Sequence, residues 1–539
     1  MRDLNDPTRP WWLQAVFYQI YVRSFADSNG DGLGDLPGIT ARLPYLRDLG
    51  VDALWITPFY TSPQHDHGYD VADYTDVDRR FGTLSDADAL VAKAHDLDLR
   101  VVVDLVPNHT SSEHAWFQAA LAAGPGSPER DRYLFRDGRG PGGDEPPNNW
   151  LSVFGGPAWE RVAEADGSPG QWYLHLFDTT QPDLNWRNPE VGDAFEDILR
   201  FWLDRGVDGF RIDVAHSLFK EEGLRDQVRV GDEPRSAALT EDGGLEDVHE
   251  ADEPMWDQPE VHDVYRRWHR LLTGYPGHRM LVAEAWTKSP ESMARYVRAD
   301  ELSQSFNFGW LVAPWSAASF AEVVTSTFDA LRPVGAVPTW VLNNHDVMRT
   351  VTRYGGGERG LARARAAMLA MLALPGSAYV YQGEELGLPQ VDVAPEHRQD
   401  PVWLRSGVPG RDGCRIPMPW GGDRPPYDFG PGSGQPWLPQ PDDWAPLTVA
   451  AQTGDPGSTL ELYRRALSVR RSHVEDAGAE VELLDLAPGA FAFRRGRLVV
   501  VVNCGSRPVD LPTGEVLVSS RPLVGATLAP DDAAWLWQA

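Results

Sequence analysis

Arg100-Val-Val-Val-Asp104-Leu-Val-Pro-Asn108-His109 is an apolar, β-branched run that stops abruptly on polar residues. β-Branched side chains favour extended backbone, and an unbroken apolar run of this length suits a strand buried on both faces. Such strands belong to parallel sheets covered by helices. Working outward, the same unit recurs before it: residues 16–20 precede an amphipathic stretch at 39–49, and residues 54–57 precede another at 86–97. After it, residues 209–213, 280–284, 305–309, 339–343 and 378–381 read as five further strands, with helical stretches at 317–331, 360–374 and 460–471. Eight βα units is the number that closes a (β/α)8 TIM barrel, an α/β fold.

The rhythm breaks in three places. Residues 108–181 are rich in Gly, Pro and charge and too long for an ordinary βα loop, so they read as a small irregular domain inserted after strand three. An acidic stretch (221–254) and a Pro-, Gly- and Trp-rich one (386–444) interrupt the later units. Past residue 472 short alternating strands take over, which predicts a C-terminal β-sandwich at 473–539. The barrel then comprises 1–107 and 182–472. No internal repeat is present.

The chain has 539 residues, 42% of them hydrophobic, enough for one barrel-sized domain and one or two smaller ones. Its net charge is −30, from 49 basic and 79 acidic residues, which disfavours nucleic-acid partners and anionic membrane surfaces. Neither an apolar leader at Met1–Pro10 nor a run of roughly 18 apolar residues is present, and the two cysteines, Cys414 and Cys504, show no paired spacing. A cytoplasmic protein with reduced thiols is expected. The 21 Trp, 16 Tyr and 19 Phe suit flat apolar ligand faces such as sugar rings, although most must be core.

Four segments place polar residues where an apolar strand ends: Asp104 to His109, Gly209-Phe-Arg211-Ile-Asp213, Glu284-Ala-Trp286, and Asn343-Asn344-His345-Asp346. In an eight-fold barrel these ends converge on one pocket. Carboxylates that share a cleft cannot share one proton affinity. Arg211 lies two residues from Asp213, on the same face of the strand, and is expected to hold it ionised. Glu284 follows Leu281-Val282-Ala283 and precedes Trp286, an apolar setting expected to keep it protonated. One ionised and one protonated carboxyl is the pairing that glycoside hydrolysis with retention requires.

These motifs, over nearly the whole chain, resemble the α-amylase superfamily, glycoside hydrolase family 13, and within it the α-glucosidase and oligo-1,6-glucosidase branch. The resemblance implies Asp213 as nucleophile, Glu284 as acid/base and Asp346 as the acid that grips the sugar's 2- and 3-hydroxyls. It implies that His109 and His345 bond the same sugar and that Arg211 orients Asp213. Gln181-Pro182-Asp183-Leu184-Asn185 resembles the motif of the exo-acting side of the family. In Asp66-His67-Gly68-Tyr69-Asp70 the resemblance makes Tyr69 a platform for the first glucose, and it pairs Asp66 with Arg415 of Arg415-Ile-Pro-Met-Pro-Trp420 to wall the pocket. His67 stands where Asn is usual and Pro419 where Gln is common.

Asp27, Asn29, Asp31, Leu33 and Asp35 occupy alternate positions of a Gly-spaced loop, as wrapping a hard cation requires, although position twelve is Gly38 rather than the Glu of an EF-hand. Branch members commonly hold Ca²⁺ or Mg²⁺ here, which implies a structural ion; the alternative is a polar turn held by Asx hydrogen bonds. The expected substrate is a small oligosaccharide, with hydrolysis of terminal α-1,4 or α-1,6 glucosidic bonds as the first reading. Glucosyl transfer, sucrose isomerisation or trehalose formation on the same site is the alternative. Val214 after the nucleophile accompanies α-1,6 cleavage in the branch, whereas Ala or Thr accompanies α-1,4; Ala215-His216 points the other way. The oligomeric state is left open.

Overall fold

Strands β1 (Val16–Ile20), β2 (Ala53–Ile56), β3 (Arg100–Leu105), β4 (Gly209–Ile212), β5 (Met280–Ala283), β6 (Gln304–Ser305), β7 (Thr339–Val341) and β8 (Ser377–Tyr381) pair in parallel in the order β6-β5-β4-β3-β2-β1-β8-β7. A parallel bridge from Asn307 to Trp340 joins the two ends of that order and closes the ring. This computed structural model describes residues 9–164, 166–227, 253–432, 434–475 and 477–539. The expected (β/α)8 barrel is therefore present.

The period of two along each strand divides the side chains into two sets. Phe17, Ala53, Trp55, Val102, Met280, Val282, Val341 and Tyr379 pack inside the barrel, with Phe17 and Tyr379 stacked at 4.3 Å between ring centroids. The alternate residues, among them Tyr18, Leu54, Val103, Phe210 and Leu281, face the helical layer. That layer includes Leu36–Leu49, Leu84–Asp96, Ala317–Leu331, Gly357–Ala373 and Thr459–Val469. It also includes two helices not singled out above, Pro189–Asp204 and Val261–Leu272. In the first of these Val191, Phe195, Ile198, Leu199 and Trp202 are buried, the spacing of one helical face, and Asn188 caps its start through Glu190 N–H at 3.0 Å.

Strand six differs from expectation. It ends at Ser305 rather than 309, because the Asn307 side chain accepts from Trp310 N–H at 3.0 Å and starts a short helix, Phe308–Val312. β4 and β5 each stop one residue before their carboxylate, so Asp213 and Glu284 stand just past the strand ends, where the backbone turns.

The stretch expected to be irregular carries a three-stranded antiparallel sheet, in spatial order Phe135–Arg136, Pro169–Leu174, Trp159–Ala163. One side of it rests on a cluster of Trp150, Trp159, Leu174, Leu176 and Met255. Most of the acidic stretch, residues 228–252, lies outside the described residues. The segment from 386 to 444 has few regular elements, one being the helix Pro401–Ser406. At the C-terminus a five-stranded antiparallel sheet faces a two-stranded one across Val499, Val501, Val509, Leu528 and Leu536. Its other face rests on the helix Gly357–Ala373, where Trp535 Nε1 donates to the Leu369 carbonyl at 2.9 Å. Among the described residues, no helix is long and apolar enough to cross a membrane.

Trp535 is fully buried whereas Val524 is 85% exposed. Trp535→Ala is expected to cost about 3–5 kcal/mol of stability, seen as an earlier urea transition by circular dichroism, with Val524→Ala unshifted as the control.

Candidate active site

Strand register assembles the centre of the pocket. Asp104 on β3 lies opposite Arg211 on β4, and Ile212 on β4 lies opposite Ala283 on β5, so the next residues, Asp213 and Glu284, are neighbours. Arg211 is buried and serves Asp104, Asp213 and Glu284. Nη1 donates to Asp104 Oδ1 and Asp213 Oδ1, each at 2.7 Å, and Nη2 donates to Glu284 Oε2 at 2.8 Å. Its guanidinium lies 5.1 Å from the Trp55 ring centroid, which closes the floor beneath it.

This geometry corrects two expectations. Glu284 does not stand in an apolar setting: besides Arg211 it accepts from Val214 N–H at 2.9 Å and from Trp286 Nε1 at 3.2 Å. Nor does Arg211, shared with Asp104 and Glu284, hold Asp213 in the low range expected of it. Burial, with Glu284, Asp104 and Asp346 nearby, pushes Asp213 well above the usual carboxylate range against the pull of Arg211. Burial likewise pushes Asp104 up to about 6. Val214 has φ of +42°, the left-handed region, which is costly for a β-branched residue. That turn points its N–H at Glu284, while Ala215 N–H donates to the Glu284 carbonyl at 2.7 Å.

The third acid is held differently. Asp346 Oδ1 accepts from Arg415 Nη2 at 2.9 Å and from Arg411 Nη1 at 3.2 Å. Against the cost of burial, His345, Arg411 and Arg415 hold Asp346 well below the usual carboxylate range. Arg415 also donates from Nε to the His345 carbonyl at 2.7 Å. The expected Asp66–Arg415 pair is replaced by Asp66–Arg411, with Arg411 Nη2 donating to Asp66 Oδ1 at 2.8 Å. Arg415, one helical turn further along the chain, is already committed to Asp346 and the backbone of residue 345. Arg411 also meets Asp400 and lies 5.0 Å from the Phe154 ring centroid. Burial pushes Asp66 up to about 6 despite both arginines.

Tyr69 ties these groups together. Its hydroxyl donates to Asp104 Oδ2 at 3.0 Å and meets His345 Nε2 at 2.7 Å, and its ring stacks on His345 at 5.4 Å. Gln19 meets the other ring nitrogen of His345 at 2.7 Å. His109 sits between the Tyr69 carbonyl and Gln181 Nε2, each at 3.1 Å, and Gln181 also donates to Asp66 at 3.1 Å. Burial lowers His109 to about 4 and pushes His345 well below the usual imidazole range. Every residue singled out for the pocket from sequence is thus brought together. Arg411, Asp400 and Gln19 were not among them. Arg411-Asp412 in a Gly-rich stretch four residues before Arg415 is the one local signal for Arg411, and nothing near Asp400 marks it.

The loop from Asp27 to Asp35 is a chain of Asx turns. Asp27 accepts from the N–H groups of Asn29, Gly30 and Gly32, Asn29 from Asp31, Asp31 from Leu33, and Asp35 from Ser28 and Gly38. Asp35 thereby caps the helix Leu36–Leu49. Among the described residues no three Asp, Glu, His or Cys side chains gather around one point. The oxygen-only donors of the loop suit a hard cation in kind, while Asp27 Oδ1 and Asp35 Oδ2 each already accept two hydrogen bonds within the loop.

The family model described as "Alpha amylase, catalytic domain" matches residues 19–477. A "Probable alpha-glucosidase" of Rhizobium meliloti (strain 1021) is 40% identical, over 92% of this chain and 88% of that protein. An "Oligo-1,6-glucosidase" of Parageobacillus thermoglucosidasius is 34% identical, over 97% of this chain and 96% of that protein. A solved structure, that of the alpha-glucosyl transfer enzyme XgtA, superposes with a TM-score of 0.85 at 39% identity, covering 98% of this chain and 100% of that one. With that fold, that pocket and that extent of match, the chain belongs to the α-amylase catalytic-domain family.

Proposed function

We propose that this glycoside hydrolase is a retaining, exo-acting α-glucosidase that removes single glucose units from the non-reducing ends of short oligosaccharides. One observation carries the reading: two carboxylates at adjacent strand ends share Arg211, while a third, Asp346, is held ionised by a separate arginine pair. Asp213, as carboxylate, attacks the anomeric carbon while Glu284 gives its proton to the departing glycosidic oxygen. Glu284 then takes a proton from water, whose oxygen attacks the same carbon and releases Asp213. Two inversions leave the sugar in its original α-configuration. Asp346 accepts hydrogen bonds from sugar hydroxyls that strengthen in the transition state. The Asp66–Arg411 pair closes the pocket beyond the terminal glucose, and Tyr69 is its platform.

The likeness to XgtA, an alpha-glucosyl transfer enzyme, favours one second reading, transfer of the glucosyl group to a sugar hydroxyl instead of water. Both reactions share the covalent intermediate, and the product profile at high maltose or isomaltose concentration separates them. For the loop, a Ca²⁺ or Mg²⁺ ion held by Asp27, Asn29, Asp31, Leu33 and Asp35 is proposed. The ion would brace the turn that caps the first barrel helix, away from the carboxylate pocket. Its support is the alternation of oxygen donors along the loop.

Removal of such an ion takes away binding energy that favours only the folded state. Chelation is therefore expected to lower Tm with little change in residual turnover; an unshifted Tm together with no metal by elemental analysis would end the proposal.

Maltoheptaose blocked at its non-reducing end should survive, while the unblocked substrate loses one glucose at a time. A spread of mid-length products at low conversion, read by chromatography, would mean an open cleft.

Azide separates the two catalytic roles. Asp213→Gly with azide and α-glucosyl fluoride is expected to give the β-glucosyl azide, because azide enters on the nucleophile's face. Glu284→Ala, with a leaving group that needs no proton, is expected to give the α-glucosyl azide from the intermediate. Asp346→Ala should lose about 10³-fold or more in kcat without rescue. The anomeric proton in NMR reads the result; opposite anomers, or near-normal hydrolysis by Asp213→Gly, would contradict the mechanism.

A further inference from the structure

Asp400 is fully buried, lies outside the eight strands, and is aimed at a single side chain. Its Oδ2 accepts from Arg411 Nε at 2.7 Å and from Arg411 N–H at 2.8 Å, and its Oδ1 accepts from Arg411 Nη2 at 3.3 Å. Both the backbone and the guanidinium of Arg411 are therefore clamped by one carboxylate. The remaining Oδ1 capacity goes to Val402 N–H at 2.8 Å, at the start of the helix Pro401–Ser406. Arg405 of that helix reaches the inserted stretch, donating to Asp178 Oδ1 at 3.1 Å and the Gly155 carbonyl at 2.8 Å.

The clamp determines where Arg411 can point. With Nε and one edge of the fork held by Asp400, the outer nitrogens are left facing Asp66 and Asp346. Arg415 Nη1 is 3.9 Å from Asp400, so this carboxylate also offsets the charge of two arginines crowded into one buried place. Asp400 itself is held well below the usual carboxylate range: burial opposes this, and Arg411 and Arg415 outweigh it. The backbone makes room for the arrangement. A Cβ on Gly410 would stand 2.5 Å from Asp400 Cγ and 2.6 Å from its Cβ, so any side chain at 410 displaces the carboxylate.

We propose that Asp400 is a positioning residue that, through Arg411, sets the wall of the pocket at the non-reducing end and thereby its selection for chain ends. The proposal rests on the exo-acting reading above. A purely structural role, as cap of a short helix, would cost stability without changing which substrates are accepted.

The test compares Asp400→Asn, Arg411→Ala and the double variant by kcat/KM on maltose, and adds hydrolysis of end-blocked maltoheptaose. Asp400→Asn is expected to lose about 10–100-fold on maltose, the scale of a misplaced binding group, and to gain turnover of the blocked substrate. In the Arg411→Ala background the same substitution should cost less than about twofold, since its effect runs through a group no longer there. Gly410→Ala should reproduce both changes without removing any polar atom, and it carries the test if Asp400→Asn does not fold. Equal losses from Asp400→Asn with and without Arg411, or Gly410→Ala variants with wild-type selection, would overturn the proposal. Cleavage of the blocked substrate by the wild type overturns the exo-acting reading instead, and the maltose cycle then still decides whether Asp400 acts through Arg411.

Discussion

The Arg211 guanidinium is one buried cation to which carboxylates from three adjacent strand ends are tied. Buried carboxylates repel one another and pay heavily for lost hydration, so they can be gathered only around a charge partner with enough donors. A guanidinium offers five N–H groups in a fixed fork, and here two of its nitrogens meet three acids. The barrel makes this possible. Parallel register sets Asp104 beside Arg211, and Asp213 beside Glu284, without any loop having to bring them together. Substituting Arg211 would leave three desolvated acids without their cation, which is why the fold and the pocket cannot be altered independently at this residue.

A second charge cluster works in the opposite sense. Around Arg211 the acids are in excess, and Asp213 and Asp104 are pushed upward. Around Arg411 and Arg415, Asp346 and Asp400 are pushed down, while burial still pushes Asp66 up. His345 lies between the two, bonded to Tyr69 and stacked on it. One pocket thus holds acids with separated proton affinities, Asp213 and Asp104 above the usual carboxylate range and Asp346 below it. Protons in the Arg211 cluster belong to the group of acids as much as to any one of them.

The barrel was legible because its strands are short apolar runs with polar ends, and that pattern is local. The convergence of Asp213, Glu284 and Asp346 followed from the closed ring, whose symmetry turns distant sequence positions into neighbours. Three features were not legible. The choice between Arg411 and Arg415 as partner of Asp66 depends on how an aperiodic segment folds back, and two arginines four residues apart look alike in sequence. The polar surroundings of Glu284 come from Arg211 on β4, the N–H of Val214 in the turn after it and the indole N–H of Trp286, which a reading of Trp286 as apolar missed. Helix Phe308–Val312 arises from the Asn307 cap within a run that also suits a strand. In each case a long-range or single-atom contact outweighed the local pattern.

Val214 bears on how linkage preference is studied. Its backbone sits in the left-handed region while its N–H holds Glu284. Exchanging the side chain there therefore alters two things, the shape offered to the incoming sugar and the ease with which the backbone keeps its turn. Thr matches the branching of Val at Cβ and would leave the second nearly constant; Ala does not. Two substitutions that accompany the same linkage in the branch are thus physically unlike at this position, and only the Val-to-Thr comparison isolates what the sugar feels.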